Sequence, residues 1–234
     1  MNESLKRRYA RQIAIEEIEE AGQEAICNGK VFIVGCGALG SMVAMQLAGA
    51  GVGKIGIADF DTVDVSNLQR QFFFKSSETG KSKAEVIKER IRELNPDIEV
   101  SVHKSFIKAD EARVTFKEYD VVVDATDNPS SKQMIDLICE EIEVPCVIGG
   151  VAAFEGQVTT LGKGGIRYRD YFPEVDTENF LPCSLGGVIG PAAALCASVQ
   201  SSEVLKIMTG KGELLINKFL TFDLLKNQFK VYES

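Results

Sequence analysis

The sequence predicts an α/β fold: a mostly parallel sheet with helices on both faces, closed by antiparallel strands at the C-terminal end. Three observations carry this. A short apolar run, a glycine-rich loop, an amphipathic helix and a second apolar run follow one another within residues 31–59. Strand-like and helix-like runs then alternate as far as residue 150. Finally, residues 213–233 split into two strand-like runs about a turn. Strands that alternate with helices pair in parallel through right-handed crossovers, whereas a short turn joins an antiparallel pair.

Taken in order, residues 4–26 read as helical, with Leu5, Tyr9 and Ile13 four apart and a run of acids at 16–20. "VFIV" (31–34) is a buried strand, and "GCGALG" (35–40) opens a helix whose face carries Leu39, Val43, Leu47 and Ala50. "KIGIAD" (54–59) completes a β-loop-α-β unit of Rossmann-like form. "KSKAEVIKERIREL" (81–94) is an amphipathic helix ended by "NP", and "IEVSVH" (98–103) alternates as a strand. "YDVVVDATDN" (119–128) is a strand with polar residues at its carboxyl end; 130–142 is a helix and 144–150 a strand. Beyond Gly150, "EGQVTTLG" (155–162) is strand-like, residues 163–182 have no period and are expected to form a mobile crossover loop, and 190–208 is a buried helix begun by Pro191. With no repeat and no linker of biased composition, a single domain over 1–234, with an N-terminal helical segment about 1–28, is the simplest organisation.

Composition removes several classes of function. The chain has 234 residues, 45% hydrophobic and 26% charged, with a net charge of −8. An acidic surface disfavours the phosphate-backbone contacts of nucleic-acid binding. No apolar run reaches the roughly 18 residues of a membrane span, and "MNESLKRRYARQ" lacks the apolar core of a secretory signal, so a cytoplasmic location is expected. The six cysteines form no C-x-x-C pair and His103 is the single histidine, so a zinc site is not expected.

Gly35, Gly37 and Gly40 satisfy G-x-G-x-x-G between a strand and a helix. Such glycines serve a tight turn, close approach of backbone to phosphate, and helix–strand packing. The motif does not by itself distinguish NAD from ATP, and a turn used for packing alone remains open. Asp59, at the end of the second strand, suits the hydroxyls of any ribose. Asn67 and Arg70 then follow within "DFDTVDVSNLQRQ". An arginine this close to a phosphate loop serves an enzyme that splits a triphosphate, where charge grows on phosphate oxygens; alone, it reads as a solvated charge. "ETGKSK" fails as a Walker A loop because Lys75 stands where glycine is required, but it leaves Lys81 and Lys83 at a helix N-terminus, a poor place for a cation without an anionic ligand. "DATDN" puts Asp127 and Asn128 at the carboxyl edge of the sheet, where either could bind a ligand or cap the following helix. A carboxylate beside phosphates is a natural Mg²⁺ partner.

These pieces in this order resemble the ThiF/MoeB/HesA family, from "RYARQ" (8–12) through "VGCGALGS", "DFDTVDVSNLQRQ", "GKSKAE", "DATDN" and "FEGQVT" to "CSLGGVIGP", nearly the whole chain. The resemblance implies ATP-dependent adenylation of the C-terminal carboxylate of a small ubiquitin-like sulfur carrier ending in Gly-Gly, in thiamine or molybdopterin biosynthesis. It further implies backbone contact at Gly37 and Ala38, ribose binding at Asp59, phosphate contacts from Asn67, Arg70 and Lys83, and Mg²⁺ at Asp127. Asp61, Ser66, Gln69 and Asn128 join the nucleotide-binding candidates, and Arg11 would reach the partner's site across a homodimer. Cys183 matches a cysteine that takes part in sulfur delivery in the thiamine-pathway relatives, while the molybdopterin-pathway relatives carry one without clear need. The two C-x-x-C pairs that bind structural zinc in many bacterial relatives are absent. No rhodanese-like domain is seen, so a separate sulfur donor protein is expected. Competing readings are a relative that activates another carboxyl group, on a modified tRNA nucleoside or a peptide, an NAD-dependent oxidoreductase, and a non-catalytic scaffold subunit. Arg70, Lys83 and Asp127 together argue for a working site.

Overall fold

The computed structural model describes residues 1–162, 164–172 and 187–233. Five parallel strands begin the sheet: β1 (Lys30–Val34), β2 (Lys54–Ala58), β3 (Glu99–His103), β4 (Val121–Asp124) and β5 (Cys146–Ala152). Three antiparallel strands extend it: β6 (Glu155–Leu161), β7 (Lys218–Asp223) and β8 (Gln228–Glu233). The spatial order is β3-β2-β1-β4-β5-β6-β7-β8. From β1 the chain builds outward through β2 and β3, then returns to place β4 on the other side. The loops after β1 and β4 therefore diverge and leave a crevice at the carboxyl edge, where open α/β sheets bind ligands.

Strand periodicity divides the core in two. Val31, Ile33, Ile55 and Ile57 face one layer of helices, made chiefly of α4 (Gly40–Ala50), α5 (Lys83–Leu94) and α9 (Gly190–Thr209). Phe32 and Val122 face the other, where α6 (Ala109–Phe116) and α7 (Pro129–Glu141) supply Phe116, Ile135 and Ile138. Burial on both faces explains why the parallel strands read as continuous apolar runs.

The N-terminal segment departs from expectation. In place of one helix over 4–26 there are α1 (Glu3–Arg8), α2 (Ala10–Ile13) and α3 (Glu19–Asn28). Tyr9 leaves helical geometry to bury its ring beside Gly51, where any Cβ would lie 2.5 Å from the tyrosine, and its hydroxyl accepts a hydrogen bond from Asn95 Nδ2 at 2.8 Å. The acids at 16–20 would repel one another in mid-helix, but Glu19 and Glu20 are favourable in the first turn of α3. α6 had no sequence signal: eight residues with Ala112 and Phe116 buried are too short for a clear period. The strand expected over 119–128 ends at Asp124, because residues 125–128 turn away to form part of the crevice.

Within 163–182, the described residues 164–172 include one helical turn, α8 (Tyr168–Tyr171). Arg167 is buried there and paired with Asp136 of α7 at 2.5 Å. No helix of the described residues is long and apolar enough to cross a membrane.

Candidate active site

The glycine loop joins β1 to α4. Gly35 has a φ of +89° and its amide donates to Ala58 O at 2.8 Å, which ties the loop to the end of β2. A Cβ on Gly40 would lie 1.9 Å from Gly35 O, so helix and loop meet only because Gly40 is bare. Gly37 differs: the nearest atom to a Cβ there is Gln71 Nε2 at 3.5 Å, so chain packing does not require glycine at this position. Among the described residues, the amides of Gly37, Ala38 and Leu39 find no acceptor, at the N-terminus of α4, an arrangement suited to an anion.

Asp59 follows β2. Its Oδ2 accepts from the Cys36 amide at 2.6 Å and its Oδ1 from the Asp61 amide at 2.7 Å. Burial raises its pKa, opposed by those two amides and by Lys83. Each carboxylate oxygen keeps a further lone pair for a ligand hydroxyl. Burial, with Asp59 nearby, also pushes the Cys36 thiol well up, so this loop cysteine is an inert small hydrophobe.

Lys83 opens α5, is 5% exposed, and its Nζ lies 3.0 Å from Asp61 Oδ2. A buried cation at a helix N-terminus opposes the helix dipole. Arg70 is half-buried and its guanidinium donates to Ser66 O at 3.1 Å, with no carboxylate in ion-pair range among the described residues. Ser66 is itself tied by its amide and hydroxyl to Asp64, whose pKa is lowered by the same two bonds. The segment from 59 to 81 is held to α5 by Glu78, which accepts from the Lys75 amide at 2.8 Å and pairs with Arg90.

From β4 come Asp127 and Asn128. Asn128 is the N-cap of α7, its Oδ1 accepting from the Ser131 amide at 3.1 Å. Asp127 is exposed and has neither hydrogen bond nor ion pair among the described residues.

One cavity of about 1220 Å³ collects these groups. Gly35, Gly37, Ala38 and Asp59 line it with Asp61, Ser66, Asn67 and Gln69, and so do Arg70, Lys83, Asp127 and Asn128. Gly40 packs behind the loop. Arg11 lies exposed on α2 and does not line the cavity. Cys183 lies outside the described residues. The sequence reading missed other lining residues: Phe60 and Phe106, more than half exposed with ring centroids 6.3 Å apart, and Gln71 and Lys132, both buried. The phenyl pair needs β2 and β3 side by side, which no local spacing announces. Lys132, in "NPSSKQ", reads as an ordinary surface lysine until α7 is laid against the sheet. Away from the glycine loop, the cavity runs over β6–β8, past Gly156, Gln157, Phe222 and Tyr232. No group of three or more His, Cys, Asp and Glu among the described residues is placed to hold a metal ion.

A model of the ThiF family matches residues 9–234. The chain belongs to the ThiF family. This ThiF-family chain is 37% identical over 229 residues to a Mycobacterium tuberculosis protein described as a probable adenylyltransferase/sulfurtransferase, MoeZ, covering 95% of the chain and 58% of the relative. It is 38% identical to the adenylyltransferase and sulfurtransferase MOCS3 of Dictyostelium discoideum, covering 95% of the chain and 53% of the relative. It is 34% identical to a probable molybdopterin-synthase adenylyltransferase of Porphyra purpurea, covering 97% and 60%. The chain thus spans little more than half the length of these relatives. Its fold is shared with Escherichia coli MccB, solved with ATP, at a TM-score of 0.83 and 23% identity over 97% of this chain and 71% of that one.

Proposed function

We propose that this chain adenylates the C-terminal carboxylate of a small ubiquitin-like sulfur carrier ending in Gly-Gly, using Mg·ATP, within molybdopterin or thiamine biosynthesis. The observation that carries the reading is a cavity that unites a phosphate-suited loop, Arg70, Lys83 and a carboxylate, Asp127, without a partner among the described residues, and that continues over the β6–β8 strands. The names of the relatives, two of them adenylyltransferase/sulfurtransferases and one a molybdopterin-synthase adenylyltransferase, support the reaction class and favour the molybdopterin carrier.

In this reading the free amides of Gly37 and Ala38 receive phosphate oxygens and Asp59 receives the ribose hydroxyls. Phe60 and Phe106 offer aromatic faces to the base. An oxygen of the carrier's terminal carboxylate attacks the α-phosphorus; the bond to the β-phosphate oxygen breaks, and pyrophosphate leaves with the electron pair. Negative charge concentrates on the oxygens around the α- and β-phosphorus during this step. Arg70, whose guanidinium pairs with no carboxylate among the described residues, and Lys83, fixed by Asp61, stabilise that charge. Asn67, Ser66 and Gln69 orient the phosphates. Asp127 fits a hard divalent cation that keeps most of its waters, since its carboxylate is exposed and takes no partner among the described residues. Bound there, Mg²⁺ would neutralise phosphate charge.

Arg11 serves the partner's site in a homodimer, consistent with its exposed position away from this chain's own cavity. Cys183 takes part in the later sulfur transfer, and the chain works in the cytoplasm. The test is ATP–pyrophosphate exchange driven by a carrier ending in Gly-Gly. Exchange that appears with the carrier and disappears when its last two glycines are removed supports the reading. No exchange with either thiamine- or molybdopterin-type carriers would sink it.

A further inference from the structure

We propose that the buried pair Asp124–Lys132 is a positioning device: it holds the turn after β4 so that Asp127 meets the nucleotide's divalent cation. This rests on the adenylation reading and extends it to two residues that touch no phosphate in that reading.

The geometry is concentrated on one atom. Asp124, the last residue of β4, is fully buried, and its Oδ1 accepts from the Thr126 amide at 2.9 Å, from Thr126 Oγ1 at 2.7 Å and from Lys132 Nζ at 3.1 Å. Lys132 also donates to Gly149 O of β5 at 2.8 Å, so the pair joins two strands and α7. The Asp124 backbone is pinned as well, its carbonyl accepting from Gln200 Nε2 of α9 at 2.9 Å. On either side of Asp127 the chain is therefore fixed: Thr126 by Asp124, and Asn128 by the Ser131 amide. Between them, Asp127 takes no bond from the described residues.

A stability role explains this poorly. Burying a carboxylate and an ammonium costs desolvation that their attraction often fails to repay, and apolar residues of similar volume commonly serve as well. Here the cost is greater still, because Asp124 Oδ2 is buried and receives no hydrogen bond from the described residues. What the pair does supply is a rigid turn under one solvent-facing carboxylate. A ligand carboxylate that must be right to a fraction of an ångström needs such support, and supporting partners tune metal affinity strongly.

The experiment titrates Mg²⁺ into the full chain saturated with α,β-methylene-ATP, followed by calorimetry, on the wild type, Thr126→Val, Lys132→Arg and Lys132→Met. Thr126→Val removes one of the three bonds at an edge of the cavity and keeps the fold. The expected result is an apparent Mg²⁺ dissociation constant raised about 10-fold, the scale seen when a metal ligand loses its supporting partner, with the melting temperature nearly unchanged. Lys132→Arg, which keeps the charge, retains more Mg²⁺ affinity than Lys132→Met. Amide hydrogen exchange at Thr126 quickens in Lys132→Met relative to the rest of β4; global unfolding of that variant leaves the decision to Thr126→Val and Lys132→Arg. A purely structural pair lowers the melting temperature and leaves the Mg²⁺ constant of the folded variants at the wild-type value, which would overturn the proposal. A wild type that binds no analogue in a Mg²⁺-dependent way overturns the adenylation reading with it, so the two failures are told apart.

Discussion

At the scale of single residues, Arg70 and Asp127 have little to do in the folded chain beyond facing the cavity. Among the described residues the Arg70 side chain makes one hydrogen bond, to a backbone carbonyl, and Asp127 makes none. Arg70→Ala and Asp127→Ala are therefore expected to lower carrier-dependent ATP–pyrophosphate exchange by about 100-fold or more, the scale of losing one transition-state charge contact. Their melting temperatures should stay within about 2 °C of wild type, as for most surface substitutions. Exchange at wild-type rates would remove both residues from the chemistry. Cys183→Ser is expected to leave exchange intact and slow thiocarboxylate formation; an unchanged yield of thiocarboxylate, measured by mass spectrometry, reduces Cys183 to a packing residue. Arginine, lysine and acid were offered as candidates by their grouping around a glycine loop, since each alone reads as a solvated charge or a helix cap. Lys132 and Asp124 were not legible, since a lysine on a helix and an acid ending a strand look the same whether solvated or buried.

Among the elements, the glycine loop separates folding from binding within six residues. Gly40→Ala forces a methyl group to 1.9 Å from Gly35 O, a backbone atom that cannot move without shifting the loop. Overpacking of this kind costs about 1–3 kcal/mol, and the melting temperature should fall by about 5 °C. Gly37→Ala meets only a side-chain amide at 3.5 Å. It should melt like wild type yet bind an ATP analogue about 10-fold more weakly, because only the ligand comes close to that carbon. Equal effects of the two substitutions on melting would contradict this division. The turn before α5 has a pH signature of its own. Burial pushes the Glu78 carboxyl up, but the Lys75 amide and Arg90 outweigh it, and the net pKa lies below the ordinary glutamate value of 4.5. A depressed acid contributes stability above its unfolded pKa and loses it as pH falls through the folded value. Wild type should therefore lose stability below about pH 4.5 more steeply than Glu78→Gln, as melting curves across pH 3–6 would show; parallel curves would mean that Glu78 does not contribute. The strands and long helices were legible because burial on two faces or one writes a period into the residues. The break at Tyr9 was not, because the ring leaves the helix for Gly51 and Asn95, which lie some 40 and 86 residues away along the chain.

For the molecule as a whole, the proposed homodimer has a consequence that a monomer lacks. If Arg11 of one protomer completes the site of the other, Arg11→Ala and Asp127→Ala are each inactive alone, yet mixing them with subunit exchange should restore about a quarter of wild-type sites: in each heterodimer one site carries neither substitution and the other carries both. No recovery on mixing, with heterodimers verified by mass spectrometry, would mean that Arg11 does not act in the partner's site.

The sequence by itself determined the α/β class and the parallel and antiparallel parts of the sheet, because burial repeats with the period of a strand or a helix, and it offered the charged residues and glycines around one loop as candidates. Only the tertiary structure decided which of them share a cavity, that Gly37 is bare for no reason of packing, and that Asp124 and Lys132 stand beneath Asp127. Those facts depend on β4 lying beside β1 and α7 folding back over β5, contacts between residues far apart in the chain, which no spacing along it records.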